Sequence, residues 1–312
     1  MNTLWLGAQL LYDGAAEMGK GRAVETTFEL AGGLIFIPGG GESAVAGDYL
    51  LDTGAPTLIL NQKERDVASG TKMVSLGGSA AVGCKKVRNF AVRGVNLGTI
   101  YSYTTDLSHL ERVKRKAICG ILGYKVFRSL ELFIDYDKRY LLLFEAGSSV
   151  LHQEVQPKET IRFYQKGHFP IVKVKIGGRN YFFGLDTGAE VNVFSLRWLK
   201  RMKRKFPEHW MQKNIQGINR TSVSSQACTL PAITVGETTY SDLDFVFTDL
   251  SHLNRGDGFE LDGILGFPFL SSGKFSINYK NRRLYLWNNP LEELAERAIV
   301  EVIPSQDPTA ED

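Results

Sequence analysis

Leu51-Asp52-Thr53-Gly54-Ala55 and Leu185-Asp186-Thr187-Gly188-Ala189 are the same five residues, written 134 positions apart in a chain of 312. Identity at that distance raises the question of whether the whole chain is duplicated. Downstream, Thr105-Asp-Leu-Ser-His-Leu110 returns as Thr248-Asp-Leu-Ser-His-Leu253, and Gly120-Ile-Leu-Gly123 returns as Gly263-Ile-Leu-Gly266, both at an offset of 143. Ile134-Asp-Tyr136 and Tyr140-Leu-Leu-Leu-Phe144 return at the same 143 as Ile277-Asn-Tyr279 and Arg283-Leu-Tyr-Leu-Trp287. Matched blocks in one order mean that the chain is written twice.

The two offsets differ by nine residues (143 − 134), so the second copy carries an insertion after its Asp-Thr-Gly, and residues 197–210 are its place. There Leu199, Met202 and Phe206 fall at i, i+3 and i+7, the spacing of an amphipathic helix. Its basic residues read as a solvated face, with an anionic partner surface as the second reading.

Elsewhere the pattern is that of strands. Phe169-Pro-Ile-Val-Lys-Val-Lys-Ile176 alternates apolar with polar residues and stops at Gly177-Gly178, a hairpin signal, before Tyr181-Phe-Phe183 leads into Leu185-Asp186. The counterpart is Thr27-Phe-Glu-Leu30 and Leu34-Ile-Phe-Ile37, a glycine-rich turn, then Tyr49-Leu-Leu-Asp52. Each Asp-Thr-Gly therefore ends an apolar strand and begins a tight turn. Composition agrees: 32 glycines against 10 prolines suit many strand-to-strand turns and an all-β fold.

With 37 basic and 34 acidic side chains the net charge is +3, too balanced for a protein that coats nucleic acid, and 43% apolar residues exclude a disordered chain. No apolar run reaches the roughly 18 residues of a membrane span. The opening Leu4-Trp-Leu-Gly-Ala-Gln-Leu-Leu-Tyr12 lacks a preceding cation and the length of a secretory core, so no address is read from it, although a remnant of an export signal stays open. Cys84, Cys119 and Cys228 form no Cys-x-x-Cys pair, which excludes a zinc ribbon, and Cys84 and Cys228, nearly equivalent across the repeat, read as small buried groups.

Two Asp-Thr-Gly-Ala turns, each followed later by apolar-apolar-Gly (Ile121-Leu122-Gly123 and Ile264-Leu265-Gly266), resemble the aspartic protease superfamily over both halves, roughly residues 25–288. The alanine after each glycine and the short lobes look like retroviral-type halves fused in tandem. The two-lobed chain is similar to pepsin, and the run before Leu51 looks like bacterial aspartyl-protease-family proteins. The resemblance implies an all-β, bilobal, aspartic-protease-like fold of two β-barrel-like lobes with a cleft between them. Its expected divisions are an extension at 1–24, lobes at 25–147 and 161–289, a linker at 148–160, and a helix and tail at 290–312.

The chemistry so implied is peptide hydrolysis by a water activated between two carboxyls that share one proton. Asp52 and Asp186 would be the catalytic pair, Thr53 and Thr187 would tie the turns together, and Gly54, Ala55, Gly188 and Ala189 would shape them. Such chemistry calls for no cofactor and no metal. The expected partner is an extended peptide or protein, the expected state a monomer, and the family resemblance favours a bacterial cell envelope or periplasm. A catalytically silent relative that binds peptides in the same cleft is the alternative. A single Asp-Thr-Gly reads equally well as an ordinary turn; two in matched context do not.

The sequence lacks a pepsin-like Tyr-Gly flap tip in 73–83. Leu76-Gly-Gly-Ser79 and Gln216-Gly-Ile218 could serve as one hairpin cover per lobe, and ordinary β-turns explain them equally well. Pro56 follows the first turn and Glu190 the second, where an added carboxylate would either perturb the pair or face solvent. Gly41-Glu-Ser-Ala-Val45 misses the last glycine of a nucleophile elbow, and Gly39-Gly-Gly41 lacks the Lys-Ser/Thr of a phosphate loop. His109 and His252 sit in equivalent Asp-Leu-Ser-His strings and read as structural.

Overall fold

The alternation in Phe169–Ile176 holds from Val172 onward, with Val172, Val174 and Ile176 buried and Lys173 and Lys175 facing solvent, while Pro170 and Ile171 before it are buried in succession. Gly177 and Gly178, both with positive φ (55° and 84°), turn this strand onto Arg179–Leu185. A computed structural model describes residues 24–62, 72–75, 78–93, 95–146, 151–152, 155–208, 210–216, 222–254 and 260–290. Among these the chain is mostly β. The expected tail helix after residue 290 and the N-terminal extension before residue 24 lie outside the described residues.

Each half builds one barrel. In the first, Leu34–Glu42, Ala44–Leu51, Gly120–Leu122, Ile59–Asn61, Ile100–Thr105 and Gly83–Val92 are neighbours in that order, and Leu34–Glu42 pairs back onto Gly83–Val92 to close the ring. In the second, Phe169–Ile176, Arg179–Leu185, Gly263–Leu265, Asn192–Ser195, Thr238–Thr248 and Ser222–Val235 close through Val174–Ile176 against the end of Ser222–Val235. Closure removes open edges, and aromatic residues fill the interiors: Tyr49 and Phe90 in one lobe, Phe183, Phe194 and Phe245 in the other. Each such side chain contributes about 1.5–3 kcal/mol on burial.

A third sheet joins the copies, in the order Val24–Thr27, Tyr140–Glu145, Leu130–Asp135, Lys274–Asn278, Arg283–Trp287, Glu159–Arg162. At its centre Phe133 pairs antiparallel with Ser276, its own repeat equivalent 143 residues on. A residue facing its own copy fixes the pseudo-twofold axis at that point. Buried Glu131 there accepts hydrogen bonds from Ser276 (2.5 Å) and Asn278 (2.9 Å) of the other copy. Leu151 and Val155 of the polar join are buried against Phe133, Leu142 and Trp287 of this sheet.

The expected insertion helix is Leu199–Lys205, with Met202 buried and Leu199 and Phe206 against the core. Asp106 and Asp249 accept the N–H of Ser108 and Ser251 two residues on, both at 2.9 Å, as turn residues should. Cys228 is buried as expected, but Cys84 is exposed, because it falls on the outward face of its strand between buried Gly83 and the solvent-facing Lys85.

The short strands Gly120–Leu122 and Gly263–Leu265 position the site. Each runs parallel to the strand entering its Asp-Thr-Gly and antiparallel to the strand leaving it, so one element grips both arms of the turn. The glycine that ends each is sterically required. A Cβ on Gly123 would stand 2.6 Å from Ala55 O, and one on Gly266 2.5 Å from Ala189 O and Val191 O. Gly266→Ala should therefore lower stability by about 1–3 kcal/mol, read from the thermal midpoint. A midpoint equal to the parent's would show that the turn has slack.

Candidate active site

At the end of each apolar strand the chain folds back on its own carboxylate. Asp52 Oδ1 accepts the Gly54 N–H at 2.8 Å, and Asp186 Oδ1 accepts the Gly188 N–H at 2.8 Å. Asp52 N–H and Asp186 N–H are held by Leu122 O and Leu265 O, each at 3.0 Å. Backbone pairing thus fixes where each carboxylate starts, and the Asx-type turn fixes where it points.

The two turns interlock. Thr53 Oγ1 donates to Leu185 O and accepts the Thr187 N–H, both at 3.0 Å; Thr187 Oγ1 donates to Leu51 O and accepts the Thr53 N–H, again both at 3.0 Å. Both threonines are fully buried. Four reciprocal hydrogen bonds leave the turns no freedom to slide past each other. The glycines face the opposite carboxylates: a Cβ on Gly54 would lie 2.5 Å from Asp186 Oδ2, and one on Gly188 2.6 Å from Asp52 Oδ1. Only residues without a side chain allow that approach.

The carboxyls of Asp52 and Asp186 lie against each other's turns, each next to the opposite glycine, Asp186 buried and Asp52 partly exposed. Burial raises Asp52 well above the usual carboxylate range, and the neighbouring Asp186 charge and hydrogen bond push it further. Burial also raises Asp186, opposed by hydrogen bonds from Asp52 and the Gly188 and Gly54 N–H groups. The pair keeps one proton at a pH where isolated carboxyls have lost theirs, and that proton belongs to the pair.

Residues 172–269, most of the second lobe, match the aspartyl protease family. That match supports an aspartyl protease assignment for the lobe it covers. No curated protein matches the chain. The first lobe repeats the six-strand barrel order of the matched lobe, Asp-Thr-Gly turn included.

Ala55 and Ala189 are buried beside the turns. Glu190 does not stand free in solvent: it meets Lys114 of the first lobe at 2.5 Å. The Lys114 side chain is only 7% exposed, so its charge requires that partner. Tyr136 and Tyr279, repeat equivalents, have buried hydroxyls without a hydrogen-bond partner among the described residues. Burial, then the negative charge of Asp186, holds both phenols protonated. The two cover segments fall on hairpins, Lys72–Ser75 with Gly78–Ala81 and Trp210–Gln216 with Ser222–Val235, whose tips lie outside the described residues.

Sequence reasoning missed His168. It sits at the tip between Tyr164–Lys166 and Phe169–Ile176, and its Nε2 lies 2.6 Å from Gly54 O in the opposite lobe. Aligning the hairpin tips of the two copies would have exposed it, since the equivalent position in the first copy is Gly33. Among the described residues no group of three or more His, Cys, Asp or Glu is arranged to hold a metal, and no helix is long and apolar enough to cross a membrane.

Proposed function

We propose that this chain is an aspartic endopeptidase in which Asp52 and Asp186 act as one unit on a water molecule. The observation that carries this reading is the pair of cross-braced turns that bring two carboxyls together at the junction of the lobes, where burial pushes both above the ordinary carboxylate range. A water between them would give a proton to the ionised carboxyl as its oxygen attacks the peptide carbonyl, while the protonated carboxyl gives its proton to the carbonyl oxygen. Collapse of the tetrahedral adduct breaks the C–N bond as the pair protonates the departing nitrogen and takes a proton from one adduct hydroxyl, so it ends with the single proton it began with. Thr53, Gly54, Ala55, Thr187, Gly188 and Ala189 would support the geometry, with an extended peptide as substrate and a single chain as the working unit.

This reading sets the pH dependence. Activity needs one proton on the pair, so it rises as the first proton leaves and falls as the second leaves. Both carboxyls are raised, and Ala55 and Ala189 offer no hydroxyl to stabilise the charged form, so the second proton leaves above the ordinary carboxylate range. The profile should be a bell centred in weakly acidic to neutral solution. In the double variant Ala55→Ser, Ala189→Ser the new donors should move its basic limb downward. Best activity in strong acid, or limbs that stay in place in the double variant, would refute this account.

A further inference from the structure

Each lobe sends the tip of its first hairpin across to the other lobe's Asp-Thr-Gly turn, and the two tips differ. From the first lobe, Gly33 packs against Phe267, where any Cβ would collide with the ring, and Gly32 lies over the Lys114–Glu190 pair. From the second lobe, the equivalent position is His168, whose imidazole reaches Gly54 O at 2.6 Å. A carbonyl only accepts, so Nε2 carries the proton and donates it. The ring packs against Phe169, with centroids 4.6 Å apart, which fixes its orientation.

The bond is well placed to act on one carboxylate alone. Gly54 C=O and Ala55 N–H belong to the same peptide unit, and the Ala55 N–H closes the turn on Asp52, donating to its main-chain oxygen at 3.2 Å and favouring its charged carboxyl. Donation to the oxygen of an amide strengthens donation from its nitrogen. Among the described residues no imidazole serves the matching Gly188–Ala189 peptide. We infer that His168 is a positioning residue that acts on Asp52 through the Gly54–Ala55 peptide, making the two carboxyls of a pseudo-symmetric site unequal.

The titratable groups on the elements that meet here are Asp52 and Asp186 on the turns, and Tyr164, Lys166, Lys173 and Lys175 on the hairpin. Burial lowers the basicity of His168, which keeps the imidazole neutral in the range where the pair works. Neutrality matters, because a donor is wanted there and a second charge is not. The inference rests on the peptidase reading for its kinetic consequence but not for its tautomer.

Two measurements separate these. In the parent protein, nitrogen-15 correlation spectra of the imidazoles should show His168 neutral and protonated on Nε2 at neutral pH. Protonation on Nδ1 instead would overturn the proposal whether or not the protein cleaves peptides. In kinetics, His168→Leu removes the donor, and kcat should fall roughly 3- to 10-fold with KM little changed. Its basic limb should move upward, since charged Asp52 loses support. His168→Gln keeps an N–H donor and should restore both the rate and the limb. If Leu and Gln variants with equal thermal midpoints behave alike, or if the limb stays put in His168→Leu, the positioning role is wrong. Should His168→Leu fail to fold, the spectrum and the Gln variant decide: a Gln profile displaced from the parent's refutes it, and a superimposable one supports it.

Discussion

On the proposed mechanism, Asp52→Asn and Asp186→Asn should each lower peptidase turnover by on the order of 10³- to 10⁴-fold, read by mass spectrometry of new termini from an unstructured protein. Either amide leaves the pair unable both to accept the water's proton and to supply one to the carbonyl oxygen. Because the pair acts as a unit, the double variant is scarcely worse than either single one. Mixing the two single variants restores nothing if one chain supplies both carboxyls. Recovery on mixing would mean that chains exchange lobes, and turnover near the parent's in either single variant would end the assignment.

The same substitutions should not weaken the fold, and the reason is electrostatic. Both carboxyls are raised by burial, so the stability that comes from keeping a proton in the folded site is complete below the ordinary carboxylate range and is lost as pH rises through the raised values. Asp52→Asn removes one of the two charges that burial and repulsion oppose. Its thermal midpoint should consequently fall less than the parent's between weakly acidic and alkaline pH. A steeper fall would contradict the raised values on which the mechanism depends.

The repeat made most of this site legible. Identical pentapeptides located both turns, and the offset of 143 located Gly123 and Gly266 beneath them. The same offset contained the axis of the central sheet, since Phe133 faces Ser276, although nothing local in either strand announces that pairing. The insertion helix was legible because its apolar spacing differs in period from the strands around it. What escaped is what differs between the copies. His168, Gly33 and Lys114, the partner of Glu190, act across the lobe junction, at a separation of 114 residues for His168 to Gly54, where no periodicity carries information. Duplicated positions define the shared machinery, and the unmatched ones make its two halves unequal.

Thr53→Val is the substitution expected to cost most in stability. It keeps the volume of a fully buried residue and deletes one oxygen, which leaves the Thr187 N–H without its acceptor and the Leu185 carbonyl without its donor. An unsatisfied buried group costs about 1–3 kcal/mol, so the two together cost roughly 2–6 kcal/mol, a large share of the 5–15 kcal/mol that holds a typical protein folded. Thr187→Val is the mirror case, through Thr53 N–H and Leu51 O. Thr53→Ser retains the hydroxyl and loses only a methyl group, so it should lie much closer to the parent. Activity should follow the hydroxyl as well, because the same oxygens hold Gly54 and Gly188 against the opposite carboxylates. The test is denaturant unfolding together with turnover for the Val and Ser variants of both threonines. Val variants within about 0.5 kcal/mol of the parent, with turnover intact, would show that the cross-brace is dispensable.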